Sequence, residues 1–194
     1  MSTLETQRQM DFIKKIRALN DKEFEKSGRH KYYYNLVMGC QMNAHDSEKL
    51  AGMLTDMGYI ETDDEFKADF IIYNTCCVRE NAEQKVYGKL GALKHYKQKN
   101  PDALIVMCGC MMQQDIVINT IRQSYKHVDI IFGTYNLYKL PELIDARLSS
   151  GEMVIDIWQE AGEIVEDLPS IRKYKFKSSV NIMYGCNNFC SYCI

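Results

Sequence analysis

Three cysteines close the chain, Cys186, Cys190 and Cys193, spaced i, i+4 and i+7 in the string Cys186-Asn187-Asn188-Phe189-Cys190-Ser191-Tyr192-Cys193. Thiolates packed this tightly can take three corners of a cubane iron-sulfur cluster and leave its fourth iron without a protein ligand. An iron so exposed is a place for a small molecule to bind. Structural zinc fits the pattern poorly, because it asks for a fourth Cys or His nearby and favours C-x2-C pairs. The chain stops at Ile194, one residue after the last of these cysteines, and so reads as a piece of a longer protein.

The remaining composition bounds what can surround such chemistry. With 194 residues, 46% hydrophobic and 26% charged, the chain is globular and can bury one good core. No apolar run approaches the length of a membrane span, and the first ten residues carry no apolar signal core, so the cytoplasm is the expected compartment. Eight cysteines in a reducing compartment read as metal ligands or catalytic thiols before they read as disulfides. A net charge of -2 gives no chain-wide footprint for nucleic acid. The one local candidate is Arg172-Lys173-Tyr174-Lys175-Phe176-Lys177, where basic and aromatic residues interleave. Its simpler reading is an exposed connector or edge strand with lysines facing water.

The elements that must position the cysteines follow from hydrophobic patterning. Met10, Phe12, Ile13, Ile16 and Leu19 recur with helical spacing and predict an amphipathic helix over residues 3–20, followed by a polar stretch from Asp21 to His30. Tyr32 to Met38 is a β-rich run, and the three that follow, Phe70 to Tyr73, Ala103 to Met107 and Val128 to Phe132, have the continuous hydrophobicity of strands buried on both faces. Helical segments are predicted between them: from about Asn43, a plausible cap, to Met57, then 79–100, 113–124 and 136–148. Strand and helix alternating in units of about 30 residues predicts right-handed βαβ construction, hence an α/β fold with an open, doubly wound parallel sheet flanked by helices. The expected organisation is a helical extension over 1–31, the α/β domain over 32–150, a connector over 151–178, and over 179–194 the first strand and loop of a truncated second domain.

That sheet yields a second set of thiols. Cys40, Cys76 and Cys110 each follow a predicted strand, and in a parallel sheet all three positions share the carboxyl edge, where open α/β sheets bind ligands. They can converge on one metal centre or be three separate core thiols; residue types alone leave both open. Cys77 adjoins Cys76 and is poorly placed to aim at the same centre, and Cys108 reads as packed at the end of its strand. His45, His95 and His127 fall in or beside helices and read as scaffolding. Asp46 and Glu48 suit a first helical turn, where the dipole favours negative charge, while Arg79 and Glu80 can orient the loop after Cys76.

Five strings in order carry a resemblance to a known family: Met38-Gly39-Cys40-Gln41-Met42-Asn43, Asn74-Thr75-Cys76-Cys77-Val78-Arg79-Glu80-Asn81-Ala82, Cys108-Gly109-Cys110-Met111, Phe132-Gly133-Thr134, and Tyr184-Gly185-Cys186 through Ile194. Together they resemble the radical S-adenosylmethionine methylthiotransferases, most closely the tRNA-modifying MiaB group. The Gln41-Met42-Asn43 string points to the branch acting on isopentenylated adenosine rather than on a ribosomal protein or another modified tRNA. The resemblance implies a cytoplasmic transferase that adds a methylthio group to N(6)-isopentenyladenosine next to the tRNA anticodon. It further implies two 4Fe-4S clusters: one on Cys186, Cys190 and Cys193 that binds S-adenosylmethionine, and an auxiliary one on Cys40, Cys76 and Cys110. The implied partners are tRNA, an electron donor and a sulfur source, without a membrane, and the full-length protein is expected to be a monomer. A non-catalytic iron-sulfur or zinc module is the reading of another class. A chain lacking the rest of the radical domain is expected to have no turnover by itself.

Overall fold

A computed structural model describes residues 4–77, 80–160, 165, 167–173, 175–179, 188, 190 and 191. Its centre is a six-stranded sheet whose every neighbouring pair is parallel: β1 (Tyr32–Met38), β2 (Ile60–Glu61), β3 (Phe70–Thr75), β4 (Leu104–Gly109), β5 (Ile130–Phe132) and β6 (Val154–Asp156). The spatial order is β2-β1-β3-β4-β5-β6. The continuous apolar runs have the role their patterning predicts, since all residues of β3, β4 and β5 are buried.

Alternate residues of each strand feed two cores. Tyr33, Phe70, Ile72, Leu104, Val106, Ile130 and Phe132 pack beneath α1 (Leu4–Ser27), α2 (Gln41–Asp56) and α5 (Leu140–Ser150). Ile71, Tyr73, Ile105, Met107 and Ile131 pack on the opposite side against Val86, Leu90 and Leu93 of α3 (Glu80–Lys99) and Val117 and Ile121 of α4 (Asp115–Ser124). With helices on both faces the sheet is doubly wound, as the alternation of elements predicts.

Asp129 ties the two faces together just before β5. Its carboxylate accepts from Lys97 Nζ of α3 at 2.8 Å, from Arg147 of α5 at 2.7 Å, and from the backbone N–H of Ile105 at 2.7 Å. A charge this deeply buried is tolerable only when paired on all sides.

Four differences from the sequence reading matter most. Helix α1 continues through Ser27 instead of ending near Asn20, because the charged residues from Asp21 to Lys26 include good helix formers, and Arg17 pairs with Asp21 one turn on. Helix α2 begins at Gln41, so Asn43 is its third residue and Cys40 is the cap. Its first turn holds no acidic residue, which places Asp46 and Glu48 further along the helix. Val154–Asp156, in the stretch read as a connector, is the sixth strand, its backbone pairing with β5 over only three residues. The last difference is the two-residue strand β2, too short and too exposed to leave a periodic signal.

The later part of the connector also packs. The Ile171 N–H donates to Glu48 O at 2.9 Å and the Lys173 N–H to Glu48 Oε1 at 3.0 Å. Pro169 and Ser170 lie directly over Gly52, where a Cβ would overlap their backbone, and Leu168 reaches the core. Among the described residues no helix is long and apolar enough to cross a membrane. The predicted strand from Val180 to Tyr184 lies outside the described residues.

Candidate metal centre at the carboxyl edge

The strand order reverses between β1 and β3: the chain leaves β1 toward β2 on one side and returns to β3 on the other. At such a switch point the loops beyond the carboxyl ends diverge and open a crevice, the usual ligand position of an open α/β sheet. Register places the three sheet cysteines there. Met38 pairs with Thr75 and Thr75 with Gly109, so Cys76 and Cys110 lie one residue past the last rung and Cys40 lies two residues past. Neighbouring strands are about 4.8 Å apart, which spreads the three backbones over roughly 10 Å.

Each thiol has a distinct support. Cys40 is exposed and caps α2, where the positive end of the helix dipole favours negative charge. Its backbone N–H and its thiol both donate to Asn43 Oδ1 at 3.2 Å. Cys76 is buried at 3% exposure, and a Cβ on Gly39 would stand 2.9 Å from the Cys76 Cβ, so the two loops meet only because residue 39 has no side chain. Cys110 opens a 3-10 turn, Cys110–Gln113, and its sulfur accepts the Cys77 N–H at 3.2 Å. Burial pushes the Cys110 thiol up to about 12, against the opposing pull of that N–H.

A buried amide network joins these supports. Asn43 Nδ2 donates to Asn74 Oδ1 at 2.8 Å and to Thr75 O at 3.2 Å, and Asn74 Nδ2 donates to Asn43 O at 2.9 Å and Ser47 Oγ at 3.1 Å. The start of α2, carrying Cys40, is thereby pinned to the end of β3, carrying Cys76. Gly109 fixes the third loop. Its φ of +98° lies in the region that favours glycine, and a Cβ there would overlap Thr75 O and lie 2.8 Å from Thr75 N. Gly133 acts from β5: Gln113, at the end of the turn that Cys110 begins, fills the space where a Gly133 side chain would be. The Gly133 N–H donates to Asn136 Oδ1 at 3.1 Å, and Gln113 Nε2 donates to Trp158 O at 2.8 Å.

Sequence reasoning placed Cys40, Cys76 and Cys110 on one edge but missed this scaffold. Asn74 held the available clue, a polar residue near the end of a fully buried strand, which must find partners. Cys108 is fully buried, with its thiol pushed well up by desolvation, as a packed residue should be. Cys77 contributes its backbone N–H, which donates to Cys110 Sγ. His127 is scaffolding, with Nε2 at 2.7 Å from Leu90 O, and Asp46 lies near Lys49 and His45 with its carboxyl raised by burial. Glu80 opens α3, and Arg79 lies outside the described residues. Of the terminal set, Cys190 is exposed, while Cys186 and Cys193 lie outside the described residues. Among the described residues no three His, Cys, Asp or Glu side chains gather closely enough for a single metal ion. A cubane cluster is a wider object, and thiols borne on three adjacent loops suit it by donor type and by spread.

The chain is similar to known proteins. The model of Uncharacterized protein family UPF0004 matches residues 32–133. A tRNA-2-methylthio-N(6)-dimethylallyladenosine synthase of Clostridioides difficile (strain 630) is 54% identical over 188 residues, 97% of this chain and 39% of that protein. The protein of the same name from Acetivibrio thermocellus is 54% identical over 194 residues, 100% of this chain and 40% of the relative. That of Lachnoclostridium phytofermentans is 62% identical over 158 residues, 81% of this chain and 34% of the relative. The chain therefore spans about two fifths or less of the length of these relatives. The family match covers more than half of the chain and contains Cys40, Cys76 and Cys110 with the amide network that binds their loops, and the chain belongs to the UPF0004 family.

Proposed function

We propose that the chain is the N-terminal portion of a tRNA methylthiotransferase that adds a methylthio group to N(6)-isopentenyladenosine beside the anticodon. In this reading Cys40, Cys76 and Cys110 hold one 4Fe-4S cluster, and Cys186, Cys190 and Cys193 hold another that binds S-adenosylmethionine. The observation that carries it is the alignment of the first three cysteines beyond the ends of adjacent parallel strands at the topological switch point. The names of the relatives support the choice of reaction and substrate. When bound, the clusters supply one-electron chemistry on S-adenosylmethionine and a station for the sulfur, which side chains cannot provide.

The chain's own residues hold the site. Asn43 and Asn74 set Cys40 against Cys76, while Gly109 and Gly133 set the turn that begins at Cys110. The Cys77 N–H, directed at the Cys110 sulfur, is the kind of hydrogen bond that tunes a cluster's potential. The remaining partners are tRNA, an electron donor and a sulfur source, and the compartment is the cytoplasm. Residues 179–194 begin the second domain.

Iron and sulfide per chain, measured after anaerobic reconstitution, test the assignment. Cys40→Ala, Cys76→Ala and Cys110→Ala should each lower cluster content, and content independent of all three would reject the site. For the reaction, nucleosides of tRNA from cells lacking the full-length gene should lose methylthio-isopentenyladenosine. Its persistence would reject the substrate.

A further inference from the structure

Cys77 is the one partly exposed thiol of the edge that the proposed ligand set does not use. Its backbone N–H lies 3.2 Å from Cys110 Sγ. The two are 33 residues apart in sequence and are brought together by the fold. Gly109 presses the β4 loop onto Thr75, and the Cys110 thiol lies 3.7 Å from Thr75 O. Both residues are partly exposed, whereas Cys76 and Cys108 are buried.

We propose that Cys77 and Cys110 form a redox-sensitive pair which, in protein without metal, closes to an intramolecular disulfide and withdraws Cys110 from binding iron. Disulfides form without strain only where the backbone already brings both side chains within reach, and a Cys77 nitrogen 3.2 Å from Cys110 Sγ places the two residues side by side. A low-molecular-weight disulfide such as glutathione disulfide serves as oxidant. One thiolate of the pair attacks a glutathione sulfur and expels glutathione thiolate. The second then attacks the resulting mixed disulfide at the protein sulfur and expels another. Two protein thiols are oxidised by two electrons, one glutathione disulfide becomes two glutathiones, and no sulfur is left unaccounted for. The crosslink itself is independent of the proposed function. Its consequence for iron loading rests on the reading of Cys110 as a ligand.

The test exposes this chain, metal-free and fully reduced, to glutathione disulfide, then maps crosslinks by mass spectrometry after alkylation and proteolysis. The expected product joins Cys77 to Cys110, is reversed by dithiothreitol, and is absent from Cys77→Ser and from Cys77→Ala. No crosslink, or a dominant crosslink pairing Cys110 with Cys76 or Cys40, would overturn the proposal. Reconstitution with iron and sulfide reads the second half. Oxidised wild-type protein should bind no more iron than Cys110→Ser, while Cys77→Ser treated with oxidant should load as well as reduced wild type. Equal loading of oxidised and reduced wild type would overturn the gating. If reduced wild type binds no iron at Cys40, Cys76 and Cys110, it is the proposed function that fails, and crosslink mapping still decides whether the pair exists.

Discussion

Asn43 offers the sharpest check on how the thiol edge is held. Replacing it with Ala removes the donors to Asn74 Oδ1 and Thr75 O, at 2.8 and 3.2 Å, and the acceptor for the Cys40 N–H and thiol. Residue 43 is 3% exposed and Asn74 and Thr75 are fully buried, so water cannot readily replace the lost partner. Each buried acceptor left unsatisfied costs about 1–3 kcal/mol, and Cys40 is exposed enough for solvent to replace its partner. The expected loss is therefore about 2–4 kcal/mol, a large share of the roughly 5–15 kcal/mol that holds a domain together. Asn43→Asp separates hydrogen bonding from size. It keeps the acceptor facing Cys40 but turns a buried carboxylate toward two carbonyl oxygens, and should destabilise more than Ala. Urea unfolding of metal-free protein followed by circular dichroism measures both, and iron uptake should fall in the same order. A loss below about 1 kcal/mol for Ala, or an Asp variant milder than Ala, would refute the claim that this amide pins the two loops.

Other expectations follow from the same structure. Asp129→Ala leaves Lys97 and Arg147 without their shared carboxylate and orphans the Ile105 N–H; urea unfolding should show a loss of about 3–5 kcal/mol, whereas a surface carboxylate such as Asp11→Ala should change little. Gly109→Ala places a Cβ against Thr75 at a φ of +98°, so iron bound per chain should drop even where circular dichroism shows an intact sheet. His127 has its pKa lowered, chiefly by burial, so the unfolded chain binds its proton more readily. Its contribution is full above the ordinary value of 6.5 and is lost as pH falls through the lower folded value, so the urea midpoint should decline below about pH 6.5, and less steeply in His127→Gln.

The fold was legible where hydrophobic burial alone decides it. Phe70 to Tyr73 and Ala103 to Met107 have no polar face to offer water, so they had to be central strands, and the parallel order then put Cys76 and Cys110 on one edge. What stayed hidden depends on contacts distant in sequence. Val154–Asp156 becomes a strand because β5 presents an open edge, and three residues are too few to carry a readable period. The pairing of Asn43 with Asn74, 31 residues apart, is a matter of side-chain geometry on two different elements. The contact between Cys77 and Cys110 depends likewise on the course of two loops. The packing of the connector on α2 was equally silent, since Gly52 in a helical pattern reads as a weakness until Pro169 is found covering it.

That packed connector sets the length of a leash. Thirty residues separate Asp156, in the sheet, from Cys186, but only thirteen separate Cys186 from Lys173, which is anchored to Glu48. At no more than about 3.6 Å per residue, the anchor shortens the farthest reach of Cys186 from roughly 110 Å to roughly 47 Å. The volume within that contour limit is smaller by about twelvefold, the cube of that ratio. The anchor point is near the first set as well: Glu48 stands eight residues along α2 from Cys40, about 12 Å at 1.5 Å per residue. The separation of two thiol sets more than seventy residues apart in sequence is thus bounded by a glycine and a glutamate of α2.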